Sequence, residues 1–318
     1  MEKDLVDYVY LSDNLRYADL FNGVLFGGEE VVVANRLKGE DTKLVVSSGA
    51  KKKGRYRDVI RKYENDVDYA VLGIENQEKV NYAMPFRIME YESGTYAKQM
   101  AEFARMHKKQ KDVSDEEYLS KLKKTDRLKP CITLVLYWGE HWDGPKALKD
   151  MMNLNAVPEP MWPYVNDYRI HVVNVREFSD TSVFKTDLKL VFDFMKQTKN
   201  RAGMRALLLG NEEYRSVSRE AFEVMRIHTN LTELDKFIEE KIEKDGEVVD
   251  MCQAIREMME EEREQGMEKG IEQGILLHIY KMVERGKYSV KEALEDLQSN
   301  QKESDFIEAM VAAGYKLP

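Results

Sequence analysis

The sequence predicts an α/β protein, a mixed sheet flanked by helices and followed by a helical C-terminal region. Three patterns carry that expectation. Short runs rich in Val, Ile, Leu and Tyr recur at 55–60, 69–77, 131–138 and 168–175, as strands do. Across 80–107, Met89, Tyr96, Met100, Phe103 and Ala104 recur at helical spacing. From 187 to 252 apolar stripes of the same period follow one another, beginning with Leu188, Val191, Phe192, Phe194 and Met195. Strands joined by helices, with one hairpin among them, build a mixed sheet with helices on both faces.

Residues 4–26 read as one helix with Leu15, Leu20, Phe21 and Val24 on its apolar side and Gly27-Gly28 at its exit. Asp19 and Asn22 are three apart and share a face of it. A short strand is expected at 44–47, after the loop acids Glu40 and Asp41. The runs 55–60 and 69–77 are separated by Glu64-Asn65-Asp66, which favours a turn, so they are expected to pair as a hairpin. Residues 69–74 are nearly all apolar, as in a strand covered on both faces, and an acid at the end of such a strand needs a reason. Alternation puts Glu75 and Gln77 on one face, and the hairpin brings Asp58 near Glu75. Two carboxylates so placed repel unless a cation or a proton lies between them. Hard oxygen ligands of that kind hold Mg2+, which activates water against a phosphate. The competing reading of the spacing alone is a pair of acids facing solvent.

Met84-Pro85 opens the long helix, on which Arg87, Tyr91, Lys98 and Gln99 are polar positions; Gln99 and Lys98 are candidates to reach the site. Residues 108–129 are charged and expected to be exposed. Trp138, Trp142 and Trp162 are read as core rather than base-stacking aromatics. The tail repeats Glu264-Gln265-Gly266, Glu268-Lys269-Gly270 and Glu272-Gln273-Gly274, so its glycines fall nearly on one helix face and allow close approach of another helix, a frayed or hinge-like helix being the alternative. Ser289-Val290-Lys291-Glu292 has the form of a capping box opening a further helix. The expected divisions are a core at 1–200, a helical extension at 201–262, and the glycine-repeat helix with a small helical tail at 263–318.

Composition narrows the classes. No apolar run approaches the ~20 residues that span a bilayer, and the first residues, Met-Glu-Lys-Asp, lack a signal-peptide core. Cys131 and Cys252 are lone and far apart, as reduced thiols are, and the expected compartment is the cytoplasm. The five histidines show no zinc-site spacing, and no glycine-rich phosphate loop or Gly-x-Ser-x-Gly elbow occurs. The net charge of −9 is unlike a DNA-coating protein, but it is unevenly spread. Residues 1–130 hold 24 Lys and Arg against 23 Asp and Glu, so the acid excess lies beyond them. The strongest basic cluster, Lys51-Lys52-Lys53-Gly54-Arg55-Tyr56-Arg57, leads directly into Asp58.

Arg57-Asp58-Val59 with Gly73-Ile74-Glu75-Asn76-Gln77 resembles the active-site signature of the PD-(D/E)XK nuclease superfamily. Within it the chain resembles the recombination-promoting nucleases, also labelled putative transposases, in which the ExK of the superfamily appears as ExQ. The likeness spans roughly residues 1 to 275. It includes Tyr17-Ala18-Asp19-Leu20-Phe21-Asn22, Pro130 to Gly139, Trp142-Asp143-Gly144-Pro145 and the Glu-Gln-Gly repeats. The resemblance implies a restriction-endonuclease-like sheet and Mg2+-dependent (or Mn2+-dependent) cleavage of DNA. It implies metal ligation by Asp58, Glu75 and the Asn76 main-chain carbonyl, with Asp19 as a supporting acid. Gln77 stands where the superfamily has lysine; an amide orients water but brings no charge and is no base. An inactive nuclease-fold protein that binds DNA or protein is the alternative, and association through the C-terminal helices is a further expectation.

Overall fold

A computed structural model describes residues 2–39, 43–48, 51–56, 59–64, 69–108, 114–229, 248–298 and 301–316. It divides into two compact units, Met1–Cys252 and Gln253–Pro318.

The first unit is mixed α/β, built on a five-stranded sheet flanked by helices. Its strands are β1 (Leu37–Gly39), β4 (Val59–Glu64), β5 (Tyr69–Gln77), β6 (Cys131–Tyr137) and β7 (His171–Asn174), adjacent in that order. β1, β4 and β5 pair antiparallel, whereas β5, β6 and β7 run parallel. β2 (Lys43–Ser48) and β3 (Lys51–Tyr56) form a separate antiparallel pair. The stretch expected as one strand over 55–60 is thus shared between β3, which ends at Tyr56, and β4, which begins at Val59. The hairpin with 69–77 is present, in the register Val59 to Ile74 and Glu64 to Tyr69.

β5 is central, and Val71, Leu72, Gly73 and Ile74 are all buried, as an apolar strand covered on both faces requires. One covering element is α3 (Met84–His107), opened by Pro85 in its first turn, where a missing N–H costs nothing. Its Met84, Ile88 and Tyr91 pack with Val135 and Tyr137 of β6 and with Trp142 and Ile170. Gln99 is buried and clasps the entry to β6. Its Oε1 accepts from Lys129 N at 2.7 Å and its Nε2 donates to Lys129 O at 3.2 Å. Trp138 and Trp142 are core residues, as their neighbours in the sequence suggest.

The single helix expected over 4–26 is two, α1 (Glu2–Leu11) and α2 (Asn14–Phe26). Asp13 divides them: its carboxylate accepts from Arg16 N at 2.9 Å, a cap that starts a new helix. α2 ends at Gly27, whose φ of 61° is a left-handed C-cap. Leu15, placed on the apolar side in the sequence reading, is exposed, while Leu20 and Phe21 are fully buried. On the other face of the sheet from α3, Arg61 of β4 lies over the Tyr17 ring at 5.5 Å, and Tyr17 donates to Leu72 O.

The charged region after α3 contributes the exposed α4 (Asp115–Ser120). α5 (Leu188–Gln197), α6 (Arg201–Gly210) and α7 (Arg219–Ile227) complete the unit. α7 packs on α1 and α5, which joins 201–229 to the body formed by the preceding residues. The unit also holds two short strands, β8 (Val217–Ser218) and β9 (Val248–Val249), which pair antiparallel.

The second unit carries most of α8 (Met251–Glu284), then α9 (Val290–Asp296) and α10 (Glu303–Ala312). Its core is Ile279, Tyr280, Val283, Ala293, Leu294, Phe306 and Met310. The capping box at Ser289 and Glu292 is present in both directions.

Candidate active site

The parallel strands β5 and β6 end at one edge of the sheet, the edge where ligands bind in open α/β sheets. Glu75 lies near the end of β5 and is 0 % exposed. Its Cα partner is Val135, so it shares the face covered by α3. A carboxylate there is tolerable only with a counter-charge and donors. Both are present: Arg87, in the first turns of α3, forms an ion pair with Glu75 Oε1, and Gln77 Nε2 donates to the same oxygen at 3.3 Å. The Arg87 side chain is only 32 % exposed. Arg87 Nε donates to the Tyr91 hydroxyl at 2.9 Å, and its guanidinium lies 5.5 Å from the Tyr91 ring centre.

Gln77 also donates Nε2 to the Asn76 main-chain carbonyl at 2.6 Å. One amide therefore touches two of the three groups expected to ligate metal, by supplying hydrogens and no charge. The Asn76 side chain points the other way, as alternation demands, and its Oδ1 accepts from the Trp138 indole at 3.2 Å.

Asp58, the other expected ligand, lies outside the described residues, as do Arg57, Glu40 and Asp41. Val59, the next residue in the chain, pairs with Ile74. Among the described residues no group of three or more His, Cys, Asp and Glu side chains gathers around a point that could hold one ion.

Asp19 is engaged by the chain ahead of α5. It is buried on α2, and its two oxygens accept from Lys185 N at 3.0 and 2.9 Å, from Thr186 N at 2.7 Å and from Thr186 Oγ1 at 2.7 Å. It clamps the chain just before α5. Asn22, on the same face, holds Val31 and Val32 by their backbones.

Two arrangements escaped the sequence reading. Arg87 was one of several polar positions on α3, and its distinguishing signal is a cation in the first helical turns after the ExQ strand. Glu92, also on α3, is buried against Thr133 Oγ1 at 2.7 Å and the Tyr168 hydroxyl. Burial and that carboxylate push the Tyr168 hydroxyl far above its ordinary range. The second arrangement surrounds His228, at the end of α7. Its Nε2 is 2.8 Å from Asp7 Oδ1 and its Nδ1 3.5 Å from Glu78 Oε1. The ring stacks on Trp138 at 4.2 Å and 10°. Burial, opposed by His228, holds the Asp7 carboxyl above the usual carboxylate range.

No described helix is long and apolar enough to cross a membrane. Comparison with protein-family models, with curated proteins and with solved structures finds no match for this chain.

Proposed function

We propose that the chain is a divalent-metal-dependent DNA endonuclease of the recombination-promoting type, with its five-stranded sheet organised as in restriction endonucleases. The observation that supports this most is Glu75: a fully buried carboxylate near the end of the central strand, matched by Arg87 and followed two residues later by Gln77. A strand core has no packing reason to hold a charge, and buried acids set against a cation at a strand end are the kind that functional sites use.

Asp58 and Glu75, with the Asn76 carbonyl, supply hard oxygen donors, the ligand chemistry that suits Mg2+ or Mn2+. When bound, such an ion polarises a phosphodiester and lowers the pKa of a coordinated water. Glu75 orients as ligand; its geometry is held by Arg87 and Gln77. Gln77 orients water by hydrogen bonding and leaves charge neutralisation to a neighbour. Arg87, partly exposed beside Glu75, supplies the positive charge that lysine brings in the wider superfamily.

Supercoiled plasmid incubated with the protein and Mg2+ tests the assignment. Wild type nicks it, chelation stops the nicking, and both Glu75→Gln and Asp58→Asn lose at least a hundredfold in rate while keeping the circular dichroism of the parent. Equal nicking by either variant would refute the reading. A second reading, a nuclease-fold protein that binds DNA or protein without cutting, draws on the neutral Gln77 amide lying against Glu75. Calorimetry with Mg2+ and Mn2+ separates the two, since only the enzyme requires the ion.

A further inference from the structure

Two large aromatic side chains stand in solvent at the sheet edge that carries Glu75. Tyr82 is 62 % exposed and Phe86 44 %, whereas Tyr91, Tyr137 and Trp142 near them are buried. The segment that carries both rings leaves β5 at Gln77 and opens α3. They are four residues apart across the helix start, the spacing at which side chains become neighbours. Core packing does not place Phe86, because Met84, Ile88 and Tyr91 take the face of α3 that meets β6. The turn before α3 is fixed: Ala83 N donates to Asn81 Oδ1 and Met84 N to the Asn81 carbonyl, both at 3.0 Å. The Tyr82 hydroxyl donates to Asp143, 3.3 Å from each carboxylate oxygen. Asp143 sits in a turn that closes on Val80 because residue 144 is glycine; a Cβ there would lie 2.7 Å from Val80 Cγ1. Tyr82 and Asp143 also lie close to Tyr137, the last residue of β6 and the strand partner of Gln77. Phe86 directly precedes Arg87, which pairs with Glu75. Each ring is thereby tied to the surroundings of Glu75, Tyr82 through Tyr137 and Phe86 through Arg87.

Charge decides which form of DNA such a rim suits. A duplex is gripped by cations along its phosphates. Around Tyr137 the nearby charges are the carboxylates of Asp143, Glu140 and Glu177; burial, together with them, pushes the Tyr137 hydroxyl up. Lys199 pairs with Glu140, and the His141 ring lies against Glu177. Affinity at this rim therefore comes from ring faces, and bases offer theirs only when they are unpaired. We propose that Tyr82 and Phe86 form a stacking platform for unpaired bases, so that the substrate of the site is single-stranded or locally opened DNA. The platform rests on the reading of the Glu75 site as a DNA nuclease, and it narrows that reading to one class of strand.

Titration of the full chain in EDTA, against a strand of about 20 nucleotides carrying a fluorescent aminopurine base and against the same sequence as a duplex, tests the platform without any cleavage. The strand binds at least about tenfold more tightly than the duplex, and its aminopurine emission falls as the base stacks on a ring. Tyr82→Leu and Phe86→Leu keep apolar bulk and lose the ring; each weakens strand binding by about tenfold and restores the emission. Tyr82→Phe keeps the ring and stays within about twofold of wild type. In Mg2+, supercoiled plasmid, whose torsion opens short segments, is nicked faster than the same DNA linearised. Unchanged strand affinity in either leucine variant, a loss in Tyr82→Phe as large as in Tyr82→Leu, or a duplex bound as tightly as the strand overturns the proposal. If the strand stacks as expected but no DNA is cut, the platform stands and the nuclease reading fails. If plasmid is cut while the leucine variants bind the strand like wild type, the platform fails and the nuclease reading stands.

Discussion

Asp19 and Glu75 are both buried acids, and their partners separate them. Asp19 accepts three main-chain or hydroxyl donors from Lys185 and Thr186, the way a carboxylate replaces a turn of backbone hydrogen bonding. Glu75 faces a guanidinium and a side-chain amide at the sheet edge. Asp19→Ala should therefore cost about 2 kcal/mol in a urea denaturation series, the penalty of leaving buried donors unmet. Its Mn2+ affinity should match wild type. A loss of metal affinity with stability unchanged would return Asp19 to the role the resemblance implies. Around Glu75, Arg87 brings charge and Gln77 brings hydrogens. No inspection of single residues shows this, because Arg87 is separated from Glu75 by a turn and the start of a helix.

Among the elements, α8 is the one whose composition conflicts with its form. Gly266, Gly270 and Gly274 lie within a continuous helix of 34 residues, where each costs about 1 kcal/mol relative to alanine. A Cβ built on any of them meets nothing within 4 Å. Met267, Ile271 and Ile275 are exposed beside them. Gly270→Ala should stabilise the helix by roughly 0.5–1 kcal/mol, seen as a higher midpoint in thermal circular dichroism. If the glycine face is where a second copy approaches, the same variant weakens association in sedimentation velocity; stabilisation with association unchanged would remove that reading. The hinge that glycine repeats suggest is absent from the described helix. By contrast, the break between α1 and α2 needed only Asp13, whose cap outweighs the apolar period running through it.

At the scale of the molecule, the two units have separate cores. Among the described residues, the core of the second unit lies within 276–315, from Leu276 to Tyr315. Phe306 is fully buried there, its ring against Tyr280 at 5.0 Å. Phe306→Ala should destabilise that unit by about 3–4 kcal/mol through the lost transfer energy and the cavity. Two calorimetric transitions are expected, and the variant lowers one and leaves the other in place. A shift of both would show that the units fold as one.

The sequence by itself determined several elements: the apolar run of β5, the hairpin with β4, the proline-opened α3, and the capping box at Ser289. Each depends on neighbours within a few residues, where propensity and periodicity act. It also marked Glu75, because a charge ending a strand buried on both faces conflicts with its surroundings. Only the tertiary structure decided what answers that charge. Arg87 meets Glu75, Asp19 turns to Lys185 and Thr186, and His228 lies between Asp7 and Glu78 across more than two hundred residues of chain. Pairings of that reach follow from how helices pack on the sheet, and short-range pattern carries no information about them.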